Sequence, residues 1–170
     1  MCKPFPFFFP LEGCRMLMIG AGRIAGGRLE TLVRFGARVH VIAGAFSPVV
    51  RDMLDAGTIT ASRNILTPKD LEDTALFRDV RMVFAATDDR ALNEAITRAC
   101  RERGIPVNNA TDRSLCDFYF PAIVEGEDLV LGLAGDGTDH KKVRRVAASL
   151  RDFFSGTGED KTEKLARENP

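Results

Sequence analysis

The sequence has no excess of charge of either sign, because 24 Lys and Arg residues balance 24 Asp and Glu residues. Proteins that bind nucleic acid through its phosphates need a basic surface, and this composition does not favour one. We therefore expect no nucleic-acid partner. The length of 170 residues suits one domain with a small appendage.

Closely spaced cysteines are also lacking. The four cysteines form no C-x-x-C pair, which argues against a zinc knuckle and against a disulfide framework. We therefore predict no metal site, and we expect reduced thiols in a cytoplasmic protein. The cysteines are Cys2, Cys14, Cys100 and Cys116.

Long apolar runs are absent as well. The first ten residues are rich in phenylalanine, but they include three prolines and are far too short to span a bilayer. They also lack the long apolar stretch and the small-residue cleavage site of a secretory signal. The expectation is a protein without a membrane partner.

The most informative feature present is a glycine-containing turn. The apolar segment 15–19 leads into residues 20–25, which follow the pattern G-x-G-x-x-A. The first glycine permits a tight bend, the second lets a pyrophosphate approach the backbone, and the alanine lets the next helix pack closely. The alternative is a strand–helix turn that binds nothing. We expect a dinucleotide pyrophosphate to be held by Gly20, Gly22, Arg23, Ile24 and Ala25.

Strands and helices alternate over the first two-thirds of the chain. Short connections between them indicate an α/β fold with a doubly wound parallel sheet of the Rossmann type. The predicted strands are 17–19, 38–43, 58–63, 80–86 and 106–110, and the predicted helices are 23–35, 48–56 and 91–103, with a short helix from 67.

The last third has a different pattern. Two apolar strands, 118–123 and 128–133, are joined by Glu125-Gly126-Glu127 and predict a hairpin, which a helix at 141–154 follows. From Ser155 the chain is polar and charged, so we expect a flexible end. Two strands and a helix are too small to be stable alone. This module must therefore pack on the first domain or on a partner subunit.

Cofactor contacts are expected where predicted strands end, because ligands of doubly wound sheets bind at the carboxyl ends of the strands. Thr87 and Asp88 follow the fourth strand, although a cap on the next helix, with Glu94 as a capping-box partner, is the alternative. The end of the second strand should flank the adenosine ribose, and it has neither the acidic residue usual for NAD nor an arginine cluster for NADP. The residues at that position are Ala43, Gly44 and Ala45.

Several short motifs occur in a fixed order, and in this combination the chain resembles the precorrin-2 dehydrogenase family, which includes the N-terminal domain of siroheme synthase. The resemblance extends from about residue 9 to about residue 150. The motifs include Pro10-Leu11, Phe35-Gly36-Ala37-Arg38-Val39, Phe46-Ser47-Pro48, Ala85-Ala86-Thr87-Asp88-Asp89, Gly104-Ile105-Pro106-Val107-Asn108 and Cys116-Asp117-Phe118.

The resemblance implies NAD-dependent oxidation of precorrin-2 to sirohydrochlorin during siroheme biosynthesis, with iron insertion as an accessory activity of some members. It implies a homodimer that exchanges the segment after the Rossmann domain. The expected division is therefore a NAD-binding Rossmann domain at 1–113 and a dimerisation module at 114–170. NAD is chosen over NADP from the resemblance, not from the residues.

The chain departs from the family pattern where that pattern has its catalytic aspartate, because Thr111 occupies the aligned position. We expect Asp112 to replace it as general base or proton relay with Thr111 beside it, the alternative being a turn aspartate bonded to its own backbone. We expect most of the family's C-terminal helical domain to be absent from these 170 residues. A non-catalytic Rossmann module that binds NAD or a tetrapyrrole, or that has a regulatory role, is therefore the alternative function. The residues expected to bind substrate are Asn108, Arg144 and Arg145, with a solvated helix face as the alternative for the two arginines.

Overall fold

The computed structural model describes residues 4–126 and 128–155. The described chain divides into two compact units, one of residues 8–119 and the other of residues 120–155 together with 4–7. The division falls after residue 119, whereas the sequence places a domain boundary after residue 113, which stays a prediction. Glu127 of the predicted hairpin turn and the predicted flexible end beyond residue 155 lie outside the described residues.

The first unit is built on a sheet of five parallel strands in the order β3-β2-β1-β4-β5. The chain runs outward from β1 in one direction and then returns to the other side of it at β4. This reversal leaves a crevice at the carboxyl ends of β1 and β4, which is where such sheets bind ligands. The strands are β1 (Arg15–Ile19), β2 (Arg38–Ala43), β3 (Thr60–Arg63), β4 (Val80–Ala85) and β5 (Val107–Asn109).

Helices cover the sheet and bury its apolar side chains. Leu17 and Ile19 join one buried cluster with Ile96, whereas Met16 and Met18, fully buried, point to the opposite face because side chains alternate along a strand. The predicted doubly wound α/β fold is thereby confirmed. The helices of this unit are α1 (Arg23–Arg34), α2 (Pro48–Asp55) and α3 (Arg90–Glu102).

The short helix predicted from residue 67 is instead a pair of 3-10 turns, Pro68–Glu72 and Thr74–Phe77. Asp70 accepts hydrogen bonds from the backbone N–H and the hydroxyl of Thr67, at 2.6 and 2.7 Å. Asp73 then ends the first turn and caps the second by accepting from the N–H of Ala75. A second cap so soon after the first prevents a regular helix from extending.

The second unit contains an antiparallel hairpin, β6 (Ala122–Glu125) with β7 (Val130–Leu133), followed by α4 (His140–Phe154). The prediction of a strand beginning at Phe118 is wrong. The Phe118 carbonyl accepts from the Asn108 side chain at 2.8 Å, and its ring packs edge-on against Phe84 at 5.4 Å between centroids. This segment is therefore bonded to the first unit's own residues rather than to a strand partner. No helix within the described ranges is long and apolar enough to cross a bilayer.

Candidate dinucleotide site

The bend after β1 requires glycine at its first position. Gly20 has a φ of 107°, and a Cβ atom there would overlap the carbonyl oxygen of Ala86. The neighbouring strands fix this geometry, since the Gly20 N–H donates to Ile42 O at 2.8 Å and the Ala86 N–H donates to Ile19 O at 2.7 Å. Residues with side chains adopt such a φ with strain, so the turn depends on the missing side chain.

The second glycine leaves open space above the start of α1. Gly22 is the N-cap of this helix, no side chain caps the first turn, and a Cβ at Gly22 would meet no atom within 4 Å. Uncapped N–H groups and the positive end of the helix dipole favour an anion such as a pyrophosphate. Arg23 and Ile24 flank this end and are exposed, whereas Ala25 is buried against the sheet. The arrangement fits a dinucleotide.

The segment after β4 is tied to α3 by a buried amide. The Asn93 Oδ1 atom accepts from the Thr87 N–H and hydroxyl, at 3.2 and 2.8 Å, and the Asn93 Nδ2 atom donates to Thr87 O at 2.9 Å. Asp89 is the residue that caps α3, by accepting from the Leu92 N–H at 3.0 Å. The structure thus leaves Asp88 exposed at the crevice edge without a capping role.

The alternative of a capping box that includes Glu94 is wrong. Glu94 pairs with Arg90 one turn away, at 3.0 Å. Because the Glu94 carboxylate binds this guanidinium, it does not reach back to the N-cap backbone. The start of α3 is therefore capped by Asp89, whose own N–H donates to the Thr87 hydroxyl at 3.2 Å.

A second buried amide shapes the loop after β5. The Asn109 Oδ1 atom accepts from the Thr111 N–H and hydroxyl, at 3.0 and 2.8 Å, and from the Asp112 N–H at 3.1 Å. The Asn93 Nδ2 atom also lies 3.4 Å from Thr111 Oγ1. Asn93 and Asn109 are both buried, so together they hold the ends of β4 and β5 in a fixed relation.

Asp112 has the bonds of a turn aspartate. Its Oδ1 atom accepts from the Ser114 N–H and hydroxyl, at 2.9 and 2.6 Å, and its Oδ2 atom accepts from Arg90 at 3.0 Å. The hydrogen bonds from Ser114, aided by the charge of Arg90, lower the pKa of Asp112 below its usual value. The alternative stated from the sequence, a turn aspartate, thus describes its bonding, and its catalytic role stays a prediction.

The three residues predicted to bind substrate lie in unlike surroundings. Asn108 is 3 % exposed, accepts from Arg28 at 2.8 Å and donates to Phe118 O at 2.8 Å. Its amide is therefore engaged by protein atoms. Arg144 and Arg145 are exposed on α4 in the second unit, so they are accessible to an anionic ligand.

The adenosine end of the site contains one residue that sequence reasoning missed. Arg63 is the last residue of β3 and is the register partner of Ala43, where β2 ends. Its guanidinium carbon lies 5.7 Å from the centre of the Phe46 ring. Gly44 leaves room for Ile65, whose Cγ1 would lie 2.6 Å from a Cβ atom there, and Ala45 is exposed beside it. Only the pairing of β2 with β3 brings Arg63 to this point, and no local signal in the sequence reveals that register.

A cavity of about 700 Å³ lies at the opposite, amino-terminal edge of the sheet. It is lined by Arg15, Arg38 and Arg81, among others. Arg15 donates to the Arg78 carbonyl, Arg38 donates to Gly13 O, and Arg81 lies over the Phe9 ring. These contacts engage the arginines with protein groups, and the cavity is remote from the turn that fits a dinucleotide. The described residues contain no group of three or more His, Cys, Asp or Glu that could hold a metal ion.

Comparison with known proteins identifies the family of this fold. Residues 7–122 match a family described as putative NAD(P)-binding. The chain is 34 % identical over 154 residues to a probable multifunctional siroheme biosynthesis protein of Ruminiclostridium josui, covering 90 % of this chain and 29 % of that protein. It is 34 % identical over 145 residues to a siroheme synthase of Methylococcus capsulatus, covering 85 % of this chain and 29 % of that enzyme.

A solved structure described as SirC, precorrin-2 dehydrogenase, has the same fold, with a TM-score of 0.68 and 22 % identity, over 97 % of this chain and 76 % of that one. The chain spans 29 % of the length of the two curated relatives named above. The family match confirms the predicted nicotinamide dinucleotide as cofactor. We conclude that the chain belongs to the putative NAD(P)-binding family and is related over most of its length to siroheme synthases.

Proposed function

We propose that the chain oxidises precorrin-2 to sirohydrochlorin in siroheme biosynthesis, with NAD as the hydride acceptor. The observation that supports this most is the uncapped start of α1 beneath the open space at Gly22, in a chain similar to siroheme synthases. The reaction removes a hydride and a proton from the tetrapyrrole. NADH, a proton and sirohydrochlorin are the products, so the balance needs no further oxidant.

Bound NAD supplies the hydride acceptor, and the chain's own residues hold it in place. The backbone from Gly20 to Ala25 binds the pyrophosphate, with the exposed side chains of Arg23 and Ile24 at its sides. Ala43, Gly44 and Ala45 would flank the adenosine ribose. Thr87 and Asp88 border the crevice at the end of β4, where Asn93 fixes the backbone of Thr87. Rigid placement of this kind is what orients a cofactor toward its substrate.

The proton lost by the substrate is taken up by Asp112 in this proposal. The carboxylate of Asp112 is ionised at neutral pH, and its lowered pKa makes it a weak base, so in this proposal it relays the proton to solvent rather than retaining it. Thr111 stands next to it, with its hydroxyl directed to Asn109. The two residues thus replace the single aspartate of the family pattern.

The substrate is a polycarboxylate, for which arginine is a suitable partner because its planar fork binds carboxylates in pairs. We assign this role to Arg144 and Arg145, whose side chains are exposed on α4. A substrate contact by Asn108, whose buried amide is bonded to Arg28 and Phe118, stays a prediction. The chain acts as a cytoplasmic homodimer in this proposal.

An anaerobic assay with precorrin-2 and NAD tests the function, followed by NADH absorbance and the sirohydrochlorin spectrum. We expect Asp112→Asn to lower kcat about 100-fold, because a general base contributes about that much, and to leave NAD affinity unchanged. Asp55→Asn, at the exposed end of α2, is the matched control and should keep full turnover.

Two outcomes distinguish the alternatives. NAD binding without any turnover by the parent protein would support a non-catalytic binding module instead of an enzyme. Turnover that Asp112→Asn does not change would keep the enzyme and remove Asp112 from its mechanism. Addition of ferrous iron to the product in the same preparation measures the accessory chelatase activity.

A further inference from the structure

The adenosine end of the candidate site lacks the carboxylate that usually selects NAD. In doubly wound dinucleotide domains, an Asp or Glu after the second strand binds the ribose hydroxyls, and a nearby arginine accommodates a 2′-phosphate instead. Segments 20–29, 43–51 and 61–66 comprise the turn with the first half of α1, the end of β2 with the start of α2, and the end of β3, and these three segments contain no acidic residue. They contain four arginines, at positions 23, 28, 51 and 63.

Among these four arginines, only Arg63 lies on a strand that pairs with β2, since Arg23 and Arg28 belong to α1 and Arg51 belongs to α2. Arg63 ends β3 and pairs in register with Ala43, the last residue of β2. The next residue, Asn64, donates its N–H to Ala43 O at 3.2 Å, which fixes the end of β3 against the end of β2. Arg28, in contrast, directs its guanidinium to the buried Asn108 side chain. The backbone thus holds Arg63 beside the place where the acidic residue is missing.

The guanidinium of Arg63 is exposed and oriented by an aromatic ring. It lies over Phe46 with 5.7 Å between the guanidinium carbon and the ring centre. None of the ion pairs among residues 4–126 and 128–155 involves Arg63. Stacking on a ring leaves the N–H groups at the edge of the guanidinium available, and that planar fork matches a phosphate.

We propose that Arg63 binds the 2′-phosphate of NADP, so that the chain accepts NADP as well as NAD. The inference rests on the proposed use of the crevice as a dinucleotide site. A 2′-phosphate adds a charge of about −2 at neutral pH, and it would bind at the end of β2, where residues 43–45 and the paired residues 61–66 contain Arg63 and no carboxylate. Because no acidic side chain at the end of β2 repels the 2′-phosphate, we assign Arg63 as the residue that allows NADP to bind.

Calorimetric titration of the full chain with NAD and with NADP tests this assignment. We expect Arg63→Ala to weaken NADP binding about tenfold, since a charge-assisted phosphate contact is worth about that much, and to change NAD binding less than about twofold. Arg63→Glu should weaken NADP binding further by repulsion. Arg63→Lys keeps the charge but loses the fork, so its loss should be intermediate.

Arg98→Ala is the matched control, because Arg98 is an exposed arginine on α3 away from the end of β2. It removes the same charge and should leave both affinities unchanged. A thermal melt of each variant checks the fold. Because Arg63 lies on the edge strand β3, we expect its replacement to leave the melting temperature nearly unchanged.

The outcomes separate this inference from the proposed function. Selective loss of NADP binding in Arg63→Ala supports it. A parent protein that binds NAD but not NADP, or an equal loss of both ligands in Arg63→Ala, overturns the role of Arg63 and leaves the dinucleotide site in place. A parent protein that binds neither ligand overturns both.

Discussion

The two glycines of the turn differ in what an added side chain would meet. At Gly20 a methyl group would overlap the Ala86 carbonyl, and the φ of 107° is strained for any residue with a Cβ. At Gly22 the same methyl group would point into open space, with a φ of −74° that all residues tolerate. We therefore expect Gly20 to be required for folding and Gly22 to be required for binding the cofactor.

We expect Gly20→Ala to lower the free energy of unfolding by about 2–4 kcal/mol, because backbone atoms must move. Gly22→Ala should cost less than about 1 kcal/mol, the usual cost of alanine at an N-cap, and yet prevent NAD binding. Urea denaturation and calorimetric titration measure the two effects. Equal destabilisation by both substitutions, or normal NAD binding by Gly22→Ala, would contradict these separate roles of Gly20 and Gly22.

Single-residue patterns of the sequence predict the glycines well and the polar partners poorly. The pattern G-x-G-x-x-A itself indicates the backbone conformation of the turn, so the role of Gly20 is predictable from the sequence. The partners of Thr87 and Asp112 are set by Asn93, Arg90 and tertiary geometry, and no spacing in the chain encodes those distances. Arg63 was missed for the same reason, because its neighbour Ala43 is 20 positions earlier.

At the scale of elements, a polar side-chain link joins the neighbouring strands β2 and β3. The His40 Nδ1 atom lies 2.8 Å from Thr60 Oγ1, and the Nε2 atom lies 3.0 Å from Ser62 Oγ. Partial burial, aided by the positive charge of Arg15, lowers the pKa of His40. The folded protein therefore binds a proton at His40 less readily than the unfolded chain does.

This difference predicts a pH dependence of stability. Because the unfolded chain takes up more protons at His40, the free energy of unfolding should fall as the pH drops below about 6.5, the ordinary histidine value. His40→Gln keeps a polar side chain that does not titrate, and it should remove this part of the dependence between neutral pH and about pH 5. Urea denaturation across that range measures the free energy of unfolding at each pH. If the pH dependence is the same in His40→Gln as in the parent protein, groups other than His40 cause it.

Element boundaries were predictable where local chemistry alone determines them. The alternating, β-branched run 38–43 was predicted as a strand, and β2 has those bounds. The strand predicted from Phe118 failed because that aromatic residue packs on Phe84 and its carbonyl accepts from Asn108. Pro121, just before β6, also has no N–H to donate to a strand partner. Tertiary contacts outweighed an apolar pattern there, whereas they reinforced the pattern in β2.

At the scale of the whole molecule, the second unit raises the question of oligomeric state. It contains only two strands and one helix, which is little for independent stability. It also exposes large apolar side chains, at 54 % for Leu129, 43 % for Val130, 43 % for Val146 and 37 % for Phe153. Association with a second copy of the chain, as proposed above, would bury such side chains and stabilise the unit.

Substitution on α4 tests this homodimer. We expect Val146→Asp to raise the dimer dissociation constant by about tenfold or more, since a buried charge at an interface is costly. Ala148→Asp adds the same charge to an exposed position on the other side of the helix, and it should leave the dimer intact. Sedimentation velocity over a concentration series measures the constant. A parent chain that stays monomeric throughout, or equal weakening by both aspartates, would contradict a dimer formed through Val146, because the effect would then follow added charge rather than lost apolar contact.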